Sequence, residues 1–284
     1  MYQSFQIEKD YPHVYQFLKD NSLSERYLTF LRKELGYIKI NGTPVNIKAP
    51  LHSGDILEVI ADNDTKTTIM QCILPLDIVY EDAYYLLINK PAGISTIPTR
   101  SHYDINLAGA VMNYLTQKQE NVTLRILNRL DKDTAGLVLI AKNLLASNAL
   151  KETQKAYYAL CKGEINKEIT IDKPIATLNL NGINQRKRVI SPDGKPAITY
   201  VTPIQVYNGY SLIKLTLTNG RTHQIRVHLS SIGHSLLGDE IYGETDPRIN
   251  HTALLCKELS FFHPFLKKQL NFSVDFPDDF KALL

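Results

Sequence analysis

Residues 127–142 read LNRLDKDTAGLVLIAK: Arg129, Asp131, Lys132 and Asp133 crowd into a turn that feeds directly into the apolar run Leu137 to Ala141. Such a run, bounded by turn formers, predicts a strand with the charged turn at its mouth. A carboxylate beside a guanidinium in that position is either a structural ion pair or part of a reactive site, and the spacing alone leaves both open. Asp131 and Asp133, two residues apart, face away from each other in an extended chain. A cooperating pair of carboxylates is therefore disfavoured, and one of them acts alone if either does.

Outward from this segment, Ile78 to Tyr80, Tyr85 to Asn89, Gly136 to Lys142, Ala197 to Val206 and Ser211 to Thr218 are rich in β-branched or aromatic residues and predict strands. Helical patterns are fewer: Leu107 to Tyr114, Leu144 to Gln154 behind the candidate cap Asn143, and Thr222 to Ile232. Strands and helices do not alternate regularly, which favours an α+β domain with a mixed sheet over a doubly wound parallel one. Toward the N-terminus, Leu23 to Gly36 places Leu28, Leu31 and Leu35 on one helical stripe, with Arg26 and Lys33 together on another face. Asn41-Gly42 joins two short alternating runs into a hairpin, and Gly54-Asp55 turns into Ile56 to Ile60. The polar stretch Ala61 to Thr68 is the candidate linker. The chain thus divides into a small helix-plus-hairpin unit at 1–63, a linker at 64–74 and a large domain at 75–284.

The 284 residues are 44% hydrophobic, enough for a sizeable core. Lys+Arg 32 against Asp+Glu 29 is too even to assign a nucleic-acid partner unless the basic residues cluster. They do cluster between 181 and 230, where Arg186, Lys187, Arg188, Lys195, Lys214, Arg221 and Arg226 face only Asp193. Cys72, Cys161 and Cys256 are too widely spaced for a zinc ribbon or disulfide framework, and the odd count predicts a reducing, cytoplasmic setting. Apolar runs are strand-sized and the first residues, MYQSFQIEKDY, lack a signal-peptide pattern, so neither membrane span nor secretion is expected.

No P-loop, no GxGxxG and no GxSxG is present, so a nucleotide cofactor is not expected. His223 and His228, five apart on a helix, point about 140° away from each other and would chelate poorly, so no metal site is expected either.

The segment NRLDKDTAGL, 128–137, resembles the signature of the RluA-type pseudouridine synthases, usually HRLDxxTSGL. Other blocks of that family stand in order: Asn89-Lys90-Pro91-Ala92-Gly93 upstream, then Lys155-Ala156-Tyr157, Gly194 to Thr199, Gly220-Arg221-Thr222-His223-Gln224-Ile225-Arg226-Val227-His228, Gly238-Asp239 with Tyr242-Gly243, and Phe262-His263-Pro264. The resemblance covers about residues 75 to 275. It implies a mainly antiparallel catalytic domain of the pseudouridine synthase fold that isomerises uridine within RNA, without cofactor or metal. The N-terminal unit resembles, more weakly, the alpha-L RNA-binding motif of ribosomal proteins.

The resemblance places the catalytic nucleophile at Asp131, with Arg226 pairing with its carboxylate and Tyr157 stacking on uracil and placed for the proton that leaves carbon 5. Arg129 maps onto the arginine associated with base flipping. Lys90 and Arg221 are expected as RNA-contacting or pocket-framing residues, Arg26 and Lys33 as phosphate contacts of the N-terminal helix, and Arg186, Lys187 and Arg188 as a phosphate grip. His223, His228 and His234 are read as structural. The implied substrate is ribosomal RNA first and transfer RNA second, for a monomeric protein.

Two departures from the family pattern stand in the signature, Asn128 for His and Ala135 for Ser, and motivate an alternative: a catalytically inactive RNA-binding or ribosome-assembly protein. A glycosidase is a remoter reading, since no second acid stands in a matching block.

Overall fold

The computed structural model describes every residue except 1, 22, 34, 61–68, 99–103, 121–123 and 181–182, and describes 180 and 183–186 by their backbone alone. The linker candidate at 61–68 lies outside the described residues, as does the side chain of Arg186.

The first sixty residues form β1 (Tyr2–Gln6), α1 (Val14–Asp20), α2 (Glu25–Leu31), β2 (Ile38–Ile40), β3 (Thr43–Pro44) and β4 (Ile56–Ile60), a four-stranded sheet in the order β1-β4-β2-β3. Asn41 and Gly42 take φ of 50° and 79°, the left-handed pair that a tight two-residue hairpin demands. The helix read from Leu23 to Gly36 is shorter than its stripe. Leu28 and Leu31 are buried, but α2 ends at Leu31 and Leu35 is 77% exposed, because the chain leaves the helix before reaching it. Strand β1 and helix α1 carried no strong pattern in the sequence. Val14, Phe17 and Leu18 of α1 nevertheless share one core with Tyr27 and Leu28 of α2 and Leu57 and Val59 of β4.

The remainder carries β5 (Asp77–Glu81), β6 (Tyr85–Lys90), α3 (Leu107–Gln117), β7 (Arg125–Ile126), β8 (Ala135–Ala141), α4 (Leu144–Ala149), β9 (Thr153–Lys162), β10 (Ile169–Asp172), β11 (Ile175–Leu180), β12 (Ile183–Ile190), β13 (Ile198–Tyr207), β14 (Tyr210–Leu217), α5 (Gln224–Ser230), β15 (Leu254–His263), β16 (Lys268–Ser273) and α6 (Asp278–Lys281). A ten-stranded sheet runs β10-β13-β14-β9-β15-β8-β6-β5, with β16 beside β15 and β7 beside β8. Every pairing in it is antiparallel except β15 with β8. The fold is thus α+β with a mixed, mainly antiparallel sheet. Strands β11 and β12 form a separate hairpin.

Strand β8 is buried along its whole length, which explains why its residues are uniformly apolar. At its start Gly136 has φ 112°, and a β-carbon there would lie 2.3 Å from the Cys256 carbonyl oxygen. Only glycine lets β15 approach this closely beside the charged turn. The helix after Asn143 ends at Ala149 rather than at Gln154. Asn143 does cap it, its Oδ1 accepting the Ala146 N–H at 2.8 Å, but Thr153 already begins the ten-residue β9 at the centre of the sheet. Leu145 of α4 packs into the N-terminal core, and Ser24 donates to Asn148 Oδ1 at 2.8 Å, so the two sheets are docked through α4.

Candidate active site

The turn before β8 is clamped on three sides. Asn128 donates to the Leu137 carbonyl at 3.0 Å and accepts the Leu139 N–H at 2.8 Å, extending the pairing of β8 with an amide side chain. An amide can supply both donor and acceptor here, so Asn at this position keeps the loop tied to the strand. Thr96 donates to the Leu130 carbonyl at 2.7 Å and accepts the Leu130 N–H at 3.1 Å. Lys90, wholly buried, donates from its amine to the carbonyls of Pro91 and Ile94 at 2.8 Å and of Lys132 at 3.2 Å.

Held this way, the loop presents the Asp131 carboxylate to a cleft of about 970 Å³ that is also lined by Tyr157, Lys155, His223 and Arg226. Asp131 Oδ2 lies 3.8 Å from Arg226 Nη1 and 3.9 Å from His223 Nε2, and the side chain remains 26% exposed. Arg226 is not primarily the partner of Asp131, as the sequence reading has it. Its Nε and Nη2 donate to the two carboxylate oxygens of Asp239 at 2.8 and 2.7 Å, and both residues are buried. A buried guanidinium needs a fully committed counter-ion, and Asp239 is that group, leaving Nη1 to face Asp131. Asp239 also accepts the N–H groups of Ile241 and Tyr242 at 3.1 Å each. Tyr157, on β9, is buried with its ring at the cleft. Burial, with the neighbouring Cys256 and Asp131, pushes its phenol well above the ordinary tyrosine value, so it holds its proton.

The sequence profile of the RNA pseudouridylate synthase family matches residues 84–231, a span that contains the turn, Tyr157 and Arg226. The uncharacterized RNA pseudouridine synthase YjbO of Bacillus subtilis is 34% identical over 279 residues, covering 95% of this chain and 98% of that protein. Ribosomal large subunit pseudouridine synthase D of Nitrosomonas europaea is 33% identical, covering 87% of this chain and 76% of that protein. The chain belongs to the RNA pseudouridine synthase family. It is an RNA pseudouridine synthase by that membership. A human protein, RNA Pseudouridylate Synthase Domain Containing 1, shares the fold, with a TM-score of 0.59 over 72% of this chain and 84% of its own at 24% identity.

The remaining candidate residues of this synthase fall into three settings. Arg129 and Arg221 are exposed on the cleft rim, and Arg188 of β12 reaches the same cleft while donating to Thr177 Oγ1 at 2.8 Å. Lys187 sits next to it, with its ammonium 5.6 Å from the Tyr242 ring centre. Arg26 and Lys33 line a different groove of about 750 Å³, between α2 and α4, together with Arg125 and Asn148. Lys90 has no exposed surface, and of the two roles expected for it the geometry fits pocket framing, its amine holding the Lys132 carbonyl of the turn at 3.2 Å. Of the histidines read as structural, His228 is so, with Nδ1 against Thr199 Oγ1 and Nε2 against the Lys173 carbonyl, both at 2.9 Å. His223 instead lines the cleft, facing Asp131. Among the described residues no cluster of His, Cys, Asp and Glu is arranged to hold a metal ion, and no helix is long and apolar enough to cross a membrane.

Burial pulls the Lys90 ammonium from its ordinary 10.5 down to about 7, against the charges of Asp133 and Asp131, which pull upward. Between those two values the unfolded chain binds the proton that the native amine releases, so native stability gains as pH rises through the window. Replacing Lys90 by Met removes this dependence. The unfolding free energy of the wild type is expected to rise relative to Lys90→Met from pH 7 toward pH 10, as read from urea denaturation across that range. A constant difference would contradict the buried amine.

Proposed function

We propose that this synthase converts specific uridines to pseudouridine in structured RNA, ribosomal RNA before transfer RNA, with Asp131 as its nucleophile. The observation that carries this reading is the Asp131 carboxylate at the cleft, flanked on one oxygen by Arg226 and His223, with the Tyr157 ring lining the same space. Isomerisation breaks the bond between uracil nitrogen 1 and ribose carbon 1′, turns the base, forms the bond from carbon 5 to carbon 1′ and moves the carbon 5 proton away, nitrogen 1 regaining one. Asp131 carries the sugar or the base between the two bonds, and Arg226 stabilises its charge. Tyr157 holds the uracil ring while it is detached and stands where the carbon 5 proton leaves. Arg129, planar and exposed at the rim, fills the gap left by the extruded base.

Residues 75–284 serve as the catalytic domain and 1–63 as an RNA-binding unit resembling the alpha-L motif, joined by 64–74. Arg26 and Lys33 give that unit phosphate contacts, and Arg221, Lys187, Arg188 and Arg186 give the catalytic domain its own, so binding weakens as salt rises. The ribosomal preference is supported by relatives named ribosomal large subunit pseudouridine synthase D. The protein works as a cytoplasmic monomer. The test is incubation of purified protein with ribosomal and transfer RNA transcripts, reading pseudouridine by carbodiimide derivatisation and reverse-transcription stops. One or a few modified uridines in ribosomal RNA are expected. Modification confined to transfer RNA would overturn the ribosomal assignment, and none in any transcript would overturn the activity.

A further inference from the structure

His223 has no part in the roles assigned above, yet its Nε2 stands 3.9 Å from the same Asp131 oxygen that Arg226 faces. Its backbone is in the left-handed region, φ 57°, which costs a residue with a β-carbon and persists where the surroundings impose it. Although His223 occupies the N-cap position of α5, its side chain does not cap the helix, and the ring goes to the cleft instead. Its Nδ1 lies 2.9 Å from the Tyr242 hydroxyl.

That contact fixes where the ring proton resides. The Tyr242 oxygen accepts the backbone N–H of Arg188 at 2.7 Å. Its own hydroxyl proton then needs an acceptor, because an unpaired donor on a buried side chain costs free energy. Among the described residues the acceptor in reach is His223 Nδ1. A neutral imidazole that accepts at Nδ1 carries its hydrogen on Nε2, the nitrogen turned toward Asp131. Burial draws the ring below its ordinary histidine value, with Asp131 pulling upward and Arg226 and Arg188 adding to burial, so the neutral form prevails near pH 7. The ring of Tyr242 is itself held in place, 5.3 Å from the Arg226 guanidinium.

We propose that His223 is a positioning residue for the nucleophile, its Nε2–H, set by Tyr242, orienting one Asp131 oxygen and leaving the other free to attack; this rests on Asp131 being the nucleophile. The 3.9 Å separation closes when RNA fills the cleft, as catalytic hydrogen bonds do on substrate binding. Arg226 supplies charge to Asp131 and His223 supplies direction. His223 takes no proton from the substrate.

The experiment is single-turnover kinetics at saturating RNA on the full chain, together with nitrogen-15 NMR of the histidine rings. His223→Ala is expected to slow the chemical step by about 10²-fold with RNA affinity unchanged, the scale of a misplaced reacting group. His223→Gln, which restores an N–H near the Nε2 position, is expected to recover most of the rate. Tyr242→Phe is expected to slow the step by about tenfold and to move the His223 proton off its fixed Nε2 tautomer. A wild-type rate for His223→Ala alongside an inert Asp131→Asn overturns this proposal alone, whereas turnover by Asp131→Asn overturns the reading beneath it. If His223→Ala does not fold, Tyr242→Phe decides: a wild-type rate, or a wild-type spectrum with the proton on Nδ1, overturns the proposal.

Discussion

Asp131→Asn is expected to lose turnover by about 10⁴-fold or more while folding and binding RNA as the wild type does, since removing the proposed nucleophile eliminates the covalent route. The fold has little reason to respond. Among the described residues the Asp131 carboxylate makes no hydrogen bond shorter than 3.5 Å, and its nearest charged neighbours stand 3.8 and 3.9 Å away. Its backbone carbonyl, which an Asn retains, accepts the Thr134 N–H at 3.2 Å and keeps the turn closed. Arg226 keeps its counter-ion, because that counter-ion is Asp239. Single-turnover assays beside thermal unfolding and filter binding separate these effects. Retained turnover would place the nucleophile elsewhere, and a large drop in melting temperature would show the carboxylate to be structural.

A loss of stability together with activity is expected thirteen residues beyond Arg226. Asp239→Ala removes a carboxylate with no exposed surface and leaves a guanidinium buried without its bidentate partner. Breaking a buried pair from one side costs about 3–5 kcal/mol, because the stranded charge has lost its solvation and gained nothing. The Ile241 and Tyr242 N–H groups lose their acceptor as well. Activity falls with stability, since Arg226 is then free to collapse onto Asp131 and occupy the oxygen that must attack. Urea denaturation measures the first effect and turnover at low temperature the second. A loss below about 1 kcal/mol, the range of an exposed pair, would contradict the buried geometry.

The residues that sequence motifs mark by type were legible. Asp131, Tyr157 and Arg226 come from three separate blocks, and the fold brings all three to one cleft. The Asn41-Gly42 hairpin and strand β8 were legible too, because a left-handed turn pair and an apolar run have few other readings. What the sequence hid is burial and partnership. Lys90 reads equally as an RNA contact or a pocket-framing residue because lysine is rarely buried, and the three carbonyls converging on its amine reveal its place. Asp239 was visible in its Gly-Asp block, but its pairing with Arg226 depends on how the chain returns after α5. His223 shares a motif with Arg226, and its approach to Asp131 follows from a single left-handed φ that no periodicity encodes. Strand β9 was hidden because its alternation breaks where it is buried on both faces at the centre of the sheet.

In the cell, the Asp131 cleft is proposed to make pseudouridine in ribosomal RNA. A transcriptome-wide pseudouridine map of source cells lacking the gene, complemented by the wild-type chain or by Asp131→Asn, tests it most directly. One or a few ribosomal RNA uridines are expected to lose modification, with only the wild-type chain restoring them. An unchanged map, or restoration by Asp131→Asn, would contradict it.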